Sequence, residues 1–69
     1  MLTQQNNQLP EKFRVIAKDS KDLIYFVENI NLSKFFWCYA SQTLILGQTI
    51  EALVQPPQHP ENYPLLIVY

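Results

Sequence analysis

The residues best suited to chemistry in this 69-residue chain are its single cysteine, Cys38, and its single histidine, His59. Nucleophilic catalysis needs a nucleophile, a base within hydrogen-bonding reach and a group that orients the base. Cys38 stands between Trp37 and Tyr39, an apolar setting that makes a thiol inert, and His59 has no neighbouring aspartate. We therefore interpret Cys38 as a buried structural residue, and we expect no catalytic residue and no enzyme.

The sequence contains too few of the residues that form metal and nucleotide sites. One cysteine and one histidine supply at most half of the usual four ligands of a structural zinc site. The single glycine, Gly47, excludes the glycine-rich loops that cradle phosphates in nucleotide-binding proteins. The six Asp and Glu residues lie beside turns or strand edges, and we interpret them as solvated surface charges rather than as an acid–base pair. We predict neither a cofactor nor a metal.

The distribution of charge indicates what kind of partner this chain can bind. Its formal net charge is −1, and its five Lys and Arg residues are scattered over the first half, up to Lys34. Binding to phosphates needs a basic stripe, which these residues do not form, so we expect no nucleic-acid partner. After Lys34 the only charged side chains are Glu51 and Glu61. We expect this second half to be covered, either by the protein's own core or by a partner.

The most aromatic segment, residues 35–40, is a candidate for binding rather than for catalysis. Rings of this kind suit a pleated surface that is covered on both faces, and a patch of them exposed to solvent marks a contact site. The apolar end of the chain, residues 65–69, is expected to pair within a sheet or across a subunit boundary. The predicted interaction residues are Phe35, Phe36, Trp37, Tyr39, Leu66, Val68 and Tyr69. An alternative site is a pocket for a small apolar ligand, lined by Trp37, Phe36 and Tyr25.

The positions of these side chains depend on a series of predicted strands. Phe13, Val15 and Ala17 recur at every second position, which is the period typical of a strand. Further along, clusters of turn-favouring polar residues separate runs that are rich in aromatic and β-branched side chains. Pro56 and Pro57 end one such run, since proline lacks the amide donor. The predicted strands are 13–18, 23–30, 35–40, 43–54 (bent at Gly47) and 65–69.

Two of these segments also fit a short helix. Within 23–30, Leu23, Phe26 and Val27 lie at helical spacing, and a helix over 49–55 could be capped by Thr49. The residue types of the first segment lose rotamer freedom in a helix and favour a strand. We predict a mainly β single domain, a sheet or partly open barrel of about five strands. The alternative is an α+β arrangement with one short helix in either segment.

The domain organisation follows from length and composition. Residues 1–9 are rich in Gln and Asn and are predicted to form a disordered tail, followed by one small β-rich domain over residues 10–69. The start of the chain lacks the basic and then apolar pattern of a secretory signal. The charge-free stretch 35–50 is too short, and too interrupted by polar residues, to span a membrane. We therefore expect a cytoplasmic protein with no membrane partner.

The apolar content of the chain indicates how it functions. Apolar residues make up 48% of the sequence, which is more than one small interior is expected to hide. We therefore expect a homo-oligomer or a complex with a protein partner. The predicted function is that of a protein-interaction or assembly module of unknown specific role, acting through β-edge pairing and an aromatic patch. Binding of a small apolar ligand is the alternative, and nucleic-acid binding ranks below both.

Overall fold

The regular structure of this protein consists of β-strands alone in the residues that the computed structural model describes, 9–21 and 23–69. The strands are β1 (Glu11–Lys18), β2 (Ile24–Asn29), β3 (Lys34–Ala40), β4 (Thr49–Gln55) and β5 (Leu65–Val68). They close into a barrel in the order β1-β2-β3-β5-β4, with β3 and β5 parallel and the other neighbours antiparallel. The predicted mainly β fold is confirmed, and both alternative helices, at 23–30 and 49–55, are wrong because those segments contain β2 and β4.

The predicted strand bounds agree with the structure except in one place. The segments 13–18, 23–30, 35–40 and 65–69 overlap β1, β2, β3 and β5, with small differences at the ends. The predicted disordered tail over residues 1–9 lies, apart from an exposed Leu9, outside the described residues. The exception is the predicted strand 43–54, of which only the second part belongs to β4.

One hydrophobic core fills the barrel because inward-pointing side chains alternate with outward-pointing ones along each strand. In β1, Phe13 and Val15 are fully buried while Arg14 between them is exposed. The pairing of β1 with β2 shifts after Val15 at a β-bulge, which leaves Ile16 exposed. The core consists of Phe13, Val15, Tyr25, Val27, Cys38, Ala40, Leu44, Ile50, Ala52 and Leu66.

A tight turn over residues 30–33 joins β2 to β3 and fixes the pairing of these two strands. Asn29, the last residue of β2, is buried, and both ends of its side-chain amide are bonded. Its Nδ2 donates to Glu11 Oε1 at 2.9 Å, and its Oδ1 accepts from the Leu32 amide at 3.2 Å. Ser33 completes the turn with a positive φ of 54°. The predicted break after β2 is thus a turn stabilised by a buried asparagine.

Residues 43–48 lie outside the strands and contain a tight turn over 45–48, in place of the predicted first part of a strand. The Gln48 amide donates to the Ile45 carbonyl at 3.1 Å, and the Ile45 amide donates back to Gln48 Oε1 at 3.0 Å. The Gly47 amide bonds to the Val15 carbonyl at 2.7 Å, beside the bulge of β1. The apolar run 44–46 looks extended in the sequence, but Leu44 alone turns inward and closes one end of the core, while Ile45 and Leu46 are exposed.

Gly47 is the position in this turn where the backbone itself restricts the residue type. Its φ of +86° is one that residues with a Cβ adopt only with strain, and no heavy atom lies within 4 Å of an added Cβ. We expect Gly47→Ala to lower the free energy of unfolding by about 1 kcal/mol, through backbone strain rather than through a clash. Urea denaturation should show a smaller loss for Gly47→Asn, because asparagine tolerates this conformation better. Equal losses for the two variants would contradict this explanation.

Candidate interaction surface

The outer face of β3 carries three exposed aromatic side chains. Within the aromatic segment, Phe35, Trp37 and Tyr39 point outward, with relative exposures of 54%, 37% and 39%. Between them, Phe36 and Cys38 point into the barrel, as the period of two requires. The aromatic segment therefore divides into an exposed set and a core set.

The side chain of Phe26, in β2, contacts the exposed set of β3 and makes it a continuous surface. Phe26 lies directly opposite Trp37 in the strand pairing, with ring centroids 5.2 Å apart. Phe26 also stacks on Phe35, with centroids 6.0 Å apart and planes inclined by 19°. Phe26 was not among the predicted interaction residues, although its place between two inward residues of β2 marks it as outward-pointing.

A second pair of rings extends this surface toward the proline-containing loop between β4 and β5. Tyr39 lies against Tyr63 of that loop, with ring centroids 5.6 Å apart. The two tyrosines and the loop border a cleft of about 330 Å³, which is also lined by Leu65 and His59. We call the five residues Phe26, Phe35, Trp37, Tyr39 and Tyr63 the aromatic face.

The other predicted interaction residues lie elsewhere in the barrel. Phe36 packs edge-on against the core residue Phe13, with ring centroids 6.0 Å apart and planes at 89°. Leu66 is fully buried, and Val68 is half-buried against the same core. Tyr69 is exposed at the end of the chain, where its amide bonds to the Glu51 carbonyl at 3.1 Å. The terminal strand is paired within the sheet, between β3 and β4.

The three rings predicted to line a ligand pocket do not face one cavity. Tyr25 is fully buried, and its hydroxyl accepts a hydrogen bond from the Leu44 amide at 2.9 Å. Phe36 points inward from β3, whereas Trp37, the next residue, points outward. The structure therefore brings Trp37 together with Phe26 rather than with the other two predicted residues.

Few charged groups border the aromatic face. Arg14 and Glu28 form an ion pair at 2.9 Å on the outer side of β1 and β2, beside Phe35 in the strand pairing. The Arg14 side chain is half exposed, so such a pair contributes about 0–1 kcal/mol and mainly neutralises the two charges. Lys34, at the start of β3, is exposed. Apart from Lys34, the charges beside Phe35 in the strand pairing therefore cancel.

The edge of β3 next to the aromatic face is open over most of its length. β5 pairs with β3 only at Tyr39 and Ala40 among the described residues, because β5 begins opposite Tyr39. Toward its start, β3 has β2 on one side, and no strand of residues 9–21 or 23–69 pairs with its other side at Phe35 or Trp37. An unpaired strand edge is a template for another strand. The barrel thus presents exposed rings and an open edge side by side.

Cys38 is buried in the core, as predicted, and burial raises the pKa of its thiol to about 12. Since the thiolate is the reactive form, we expect native protein at pH 8 to resist modification by a thiol reagent, and denatured protein to react at once. The reaction should become faster with added urea in step with unfolding. Rapid modification of the fully native protein would contradict the buried position of the thiol.

The described residues contain no group of three or more His, Cys, Asp and Glu side chains placed to hold a metal ion. His59 lies at the cleft beside Tyr63 and not beside Cys38, which is in the core.

Within residues 9–21 and 23–69, no helix has the length and apolarity needed to cross a membrane. Comparisons with protein-family models, with curated proteins and with solved structures find no match to this chain.

Proposed function

We propose that this protein is a small cytoplasmic interaction module that binds another protein chain through the aromatic face and the open edge of β3. The observation that carries the proposal is the cluster of Phe26, Phe35 and Trp37 on the outside of the barrel, in which the Phe26 ring lies 6.0 Å from that of Phe35 and 5.2 Å from that of Trp37. Aromatic side chains are enriched in protein interfaces, where they supply much of the binding energy. A single buried thiol suits a reducing compartment.

The composition of the surface supports a protein partner. Phe35 and Trp37 are exposed on the outer face of β3, whereas Phe36 between them packs against the core. Beside Phe35 in the strand pairing lies the neutralised pair of Arg14 and Glu28, and Lys34, the residue before Phe35, points to the other face of β3 by the alternation of the strand. Burial of the aromatic face therefore removes apolar area from water without burying an unpaired charge, which favours association.

The test compares two double variants that remove similar exposed apolar groups. In Phe35→Ser/Trp37→Ser the change lies on the aromatic face. In Ile45→Ser/Leu46→Ser it lies in the turn before β4, where both side chains are also exposed. The wild type and both variants are produced in the natural source of the protein and purified gently. Size exclusion followed by light scattering then measures the mass of each complex.

We expect the wild type and the turn variant to elute with the added mass of a second chain, of the same or another protein. We expect the face variant to lose that mass while its circular dichroism and urea midpoint remain close to the wild type. In the wild type, the emission of Trp37, the only tryptophan, should shift to shorter wavelength when the face is covered. A wild-type protein that remains a partnerless monomer under these conditions overturns the proposal.

A second candidate function is the stacking of single-stranded nucleic acid on the same rings. The observation that favours it is their position, because some five-stranded Greek-key barrels bind oligonucleotides on the face of their second and third strands. Phe26 and Phe35 lie on the corresponding face, with ring planes inclined by 19°. Titration with oligothymidylate should quench Trp37, weaken steeply with added salt, and lose about 1–3 kcal/mol in Phe35→Ala. The absence of quenching at low salt rules this function out.

A further inference from the structure

The backbone N–H and C=O groups of successive residues of β3 point alternately toward β2 and toward the open edge. The Tyr39 amide donates to the Pro64 carbonyl at 2.9 Å, toward β5, whereas the Ala40 amide donates to the Leu23 carbonyl at 2.8 Å, toward β2. Because backbone groups alternate along a strand, the N–H and C=O of Phe35 and Trp37 point to the same side as those of Tyr39. On that side, the described part of the chain gives Phe35 and Trp37 no partner strand.

We propose that the occupant of this edge is a second copy of this chain, whose own β3 pairs antiparallel with it around a two-fold axis at Phe36. The inference rests on the proposed function and names its partner. In this register Phe35 lies opposite Trp37 of the other copy, and the same pair recurs by symmetry. Each pair exchanges two backbone hydrogen bonds, so the edge is its own complement.

The neighbouring registers of this strand pair bring residues opposite each other that cannot form the same hydrogen bonds. An axis at Trp37 places Phe35 opposite Tyr39, whose backbone groups on this side already bond to β5. An axis at Phe35 places Trp37 opposite Ser33, which has a φ of 54° and lies in the turn before β3. A shift by one residue brings inward-pointing and outward-pointing side chains onto the same face. The register centred on Phe36 is the one that uses all four edge groups, the N–H and C=O of Phe35 and Trp37, that have no strand partner in residues 9–21 and 23–69.

The side chains on the outer face fit this pairing. Directly opposed residues of an antiparallel pair lie on the same face, so Phe35 of each copy meets Trp37 of the other beside Phe26. The two aromatic faces thereby merge into one layer of rings. Lys34, the charged residue of this edge segment, lies opposite Cys38 of the other copy and far from the second Lys34. No like charges are opposed, and the inward thiol of Cys38 stays in the core.

The direct test is amide hydrogen exchange of the wild-type protein, followed by NMR at two concentrations. We expect the Phe35 and Trp37 amides to exchange at least about tenfold more slowly at about 1 mM than at about 10 μM, because dimerisation follows mass action. The amides of Phe36 and Cys38, which face β2, serve as internal controls and should be protected at both concentrations. Light scattering over the same range should show monomer converting to dimer.

A pair of variants separates the backbone edge from the ring. Phe35→Ala removes the ring and keeps the amide, whereas Phe35→Pro removes both while leaving every amide that faces β2 in place. We expect Phe35→Ala to weaken the dimer and Phe35→Pro to abolish it, with the circular dichroism of folded barrel retained in both. If Phe35→Pro does not fold, the exchange measurement on the wild type decides the question alone.

Three results overturn the inference. They are a wild-type monomer at about 1 mM, a dimer whose Phe35 and Trp37 amides remain unprotected, and protection of those amides that does not depend on concentration. The proposed function fails separately, because it requires only that some protein chain binds the aromatic face. A monomer that binds a different protein, and loses it in Phe35→Ser/Trp37→Ser, overturns the dimer and supports the interaction module.

Discussion

Replacement of Leu66 by alanine is expected to lower the free energy of unfolding by about 2–5 kcal/mol and to leave the protein largely unfolded at room temperature. Leu66 is fully buried in the core, and its strand pairs with both β3 and β4 at this residue. The truncation leaves a cavity at the point where the barrel closes. A single core in a domain of this size rarely supplies more than about 3–5 kcal/mol, so little stability would remain.

Ile67→Ala is the matched control for Leu66→Ala. Ile67 is the next residue of β5, and its side chain points to the opposite, partly exposed face of the strand. We expect it to cost about 1 kcal/mol or less in urea denaturation followed by circular dichroism. Similar losses for the two variants would mean that β5 does not present alternate residues to the core, and would contradict the closed barrel.

The strands of this protein could be predicted where the sequence alternates and its breaks are chemically marked. The turn between β2 and β3 contains Asn31 and Ser33, residue types that favour turns, and it follows Asn29, whose side chain accepts from the Leu32 amide. Pro56 ends β4 by removing an amide donor. The segment 43–48, which contains a turn, could not be predicted. Its apolar run 44–46 resembles part of a strand, and the bonds that hold it out of one, from Gly47 to Val15 among them, connect distant parts of the chain.

The aromatic face could be predicted in part, for a similar reason. Trp37 and Phe35 follow from the composition of one segment, and alternation then separates them from Phe36. The contributions of Phe26 and Tyr63 depend on which strands and loops are neighbours. Phe26 reaches Trp37 through the pairing of β2 with β3, and Tyr63 reaches Tyr39 because the parallel β5 places its preceding loop there. Strand order is a property of the closed barrel and not of any single segment.

The open edge of β3 results from the length of β5 and from where it begins. β5 has four residues and β3 has seven, and their parallel pairing begins at Tyr39, so β5 cannot cover the first part of β3. The loop before β5 is stiffened by prolines, which supply no amide donors. Alternation along β3 places the rings of Phe35 and Trp37 on the outer face of this same unpaired part of the strand. This is why a partner that pairs with the edge also covers the face.

The hydroxyl of Tyr25 fixes the segment 43–48, which contains the turn, to the end of the barrel, and its removal is expected to be costly. The hydroxyl accepts from the Leu44 amide at 2.9 Å and lies 3.4 Å from the Leu44 carbonyl, to which it donates. Both residues are buried in the core, so in Tyr25→Phe the amide loses its partner where water cannot replace it. We expect a loss of about 1–3 kcal/mol in the free energy of unfolding, measured by urea denaturation.

The exposed Tyr63 provides the control for this prediction, since Tyr63→Phe changes the same group at the surface and should cost less than about 0.5 kcal/mol. Amide exchange locates the effect, because the Leu44 amide should lose its protection in Tyr25→Phe while the Val27 amide of β2 keeps most of its own. An unchanged Leu44 amide would show that the turn is held by other contacts. The turn would then depend on the bond from Gly47 to Val15 and on the burial of the Leu44 side chain, and the Tyr25 hydroxyl would contribute little to stability.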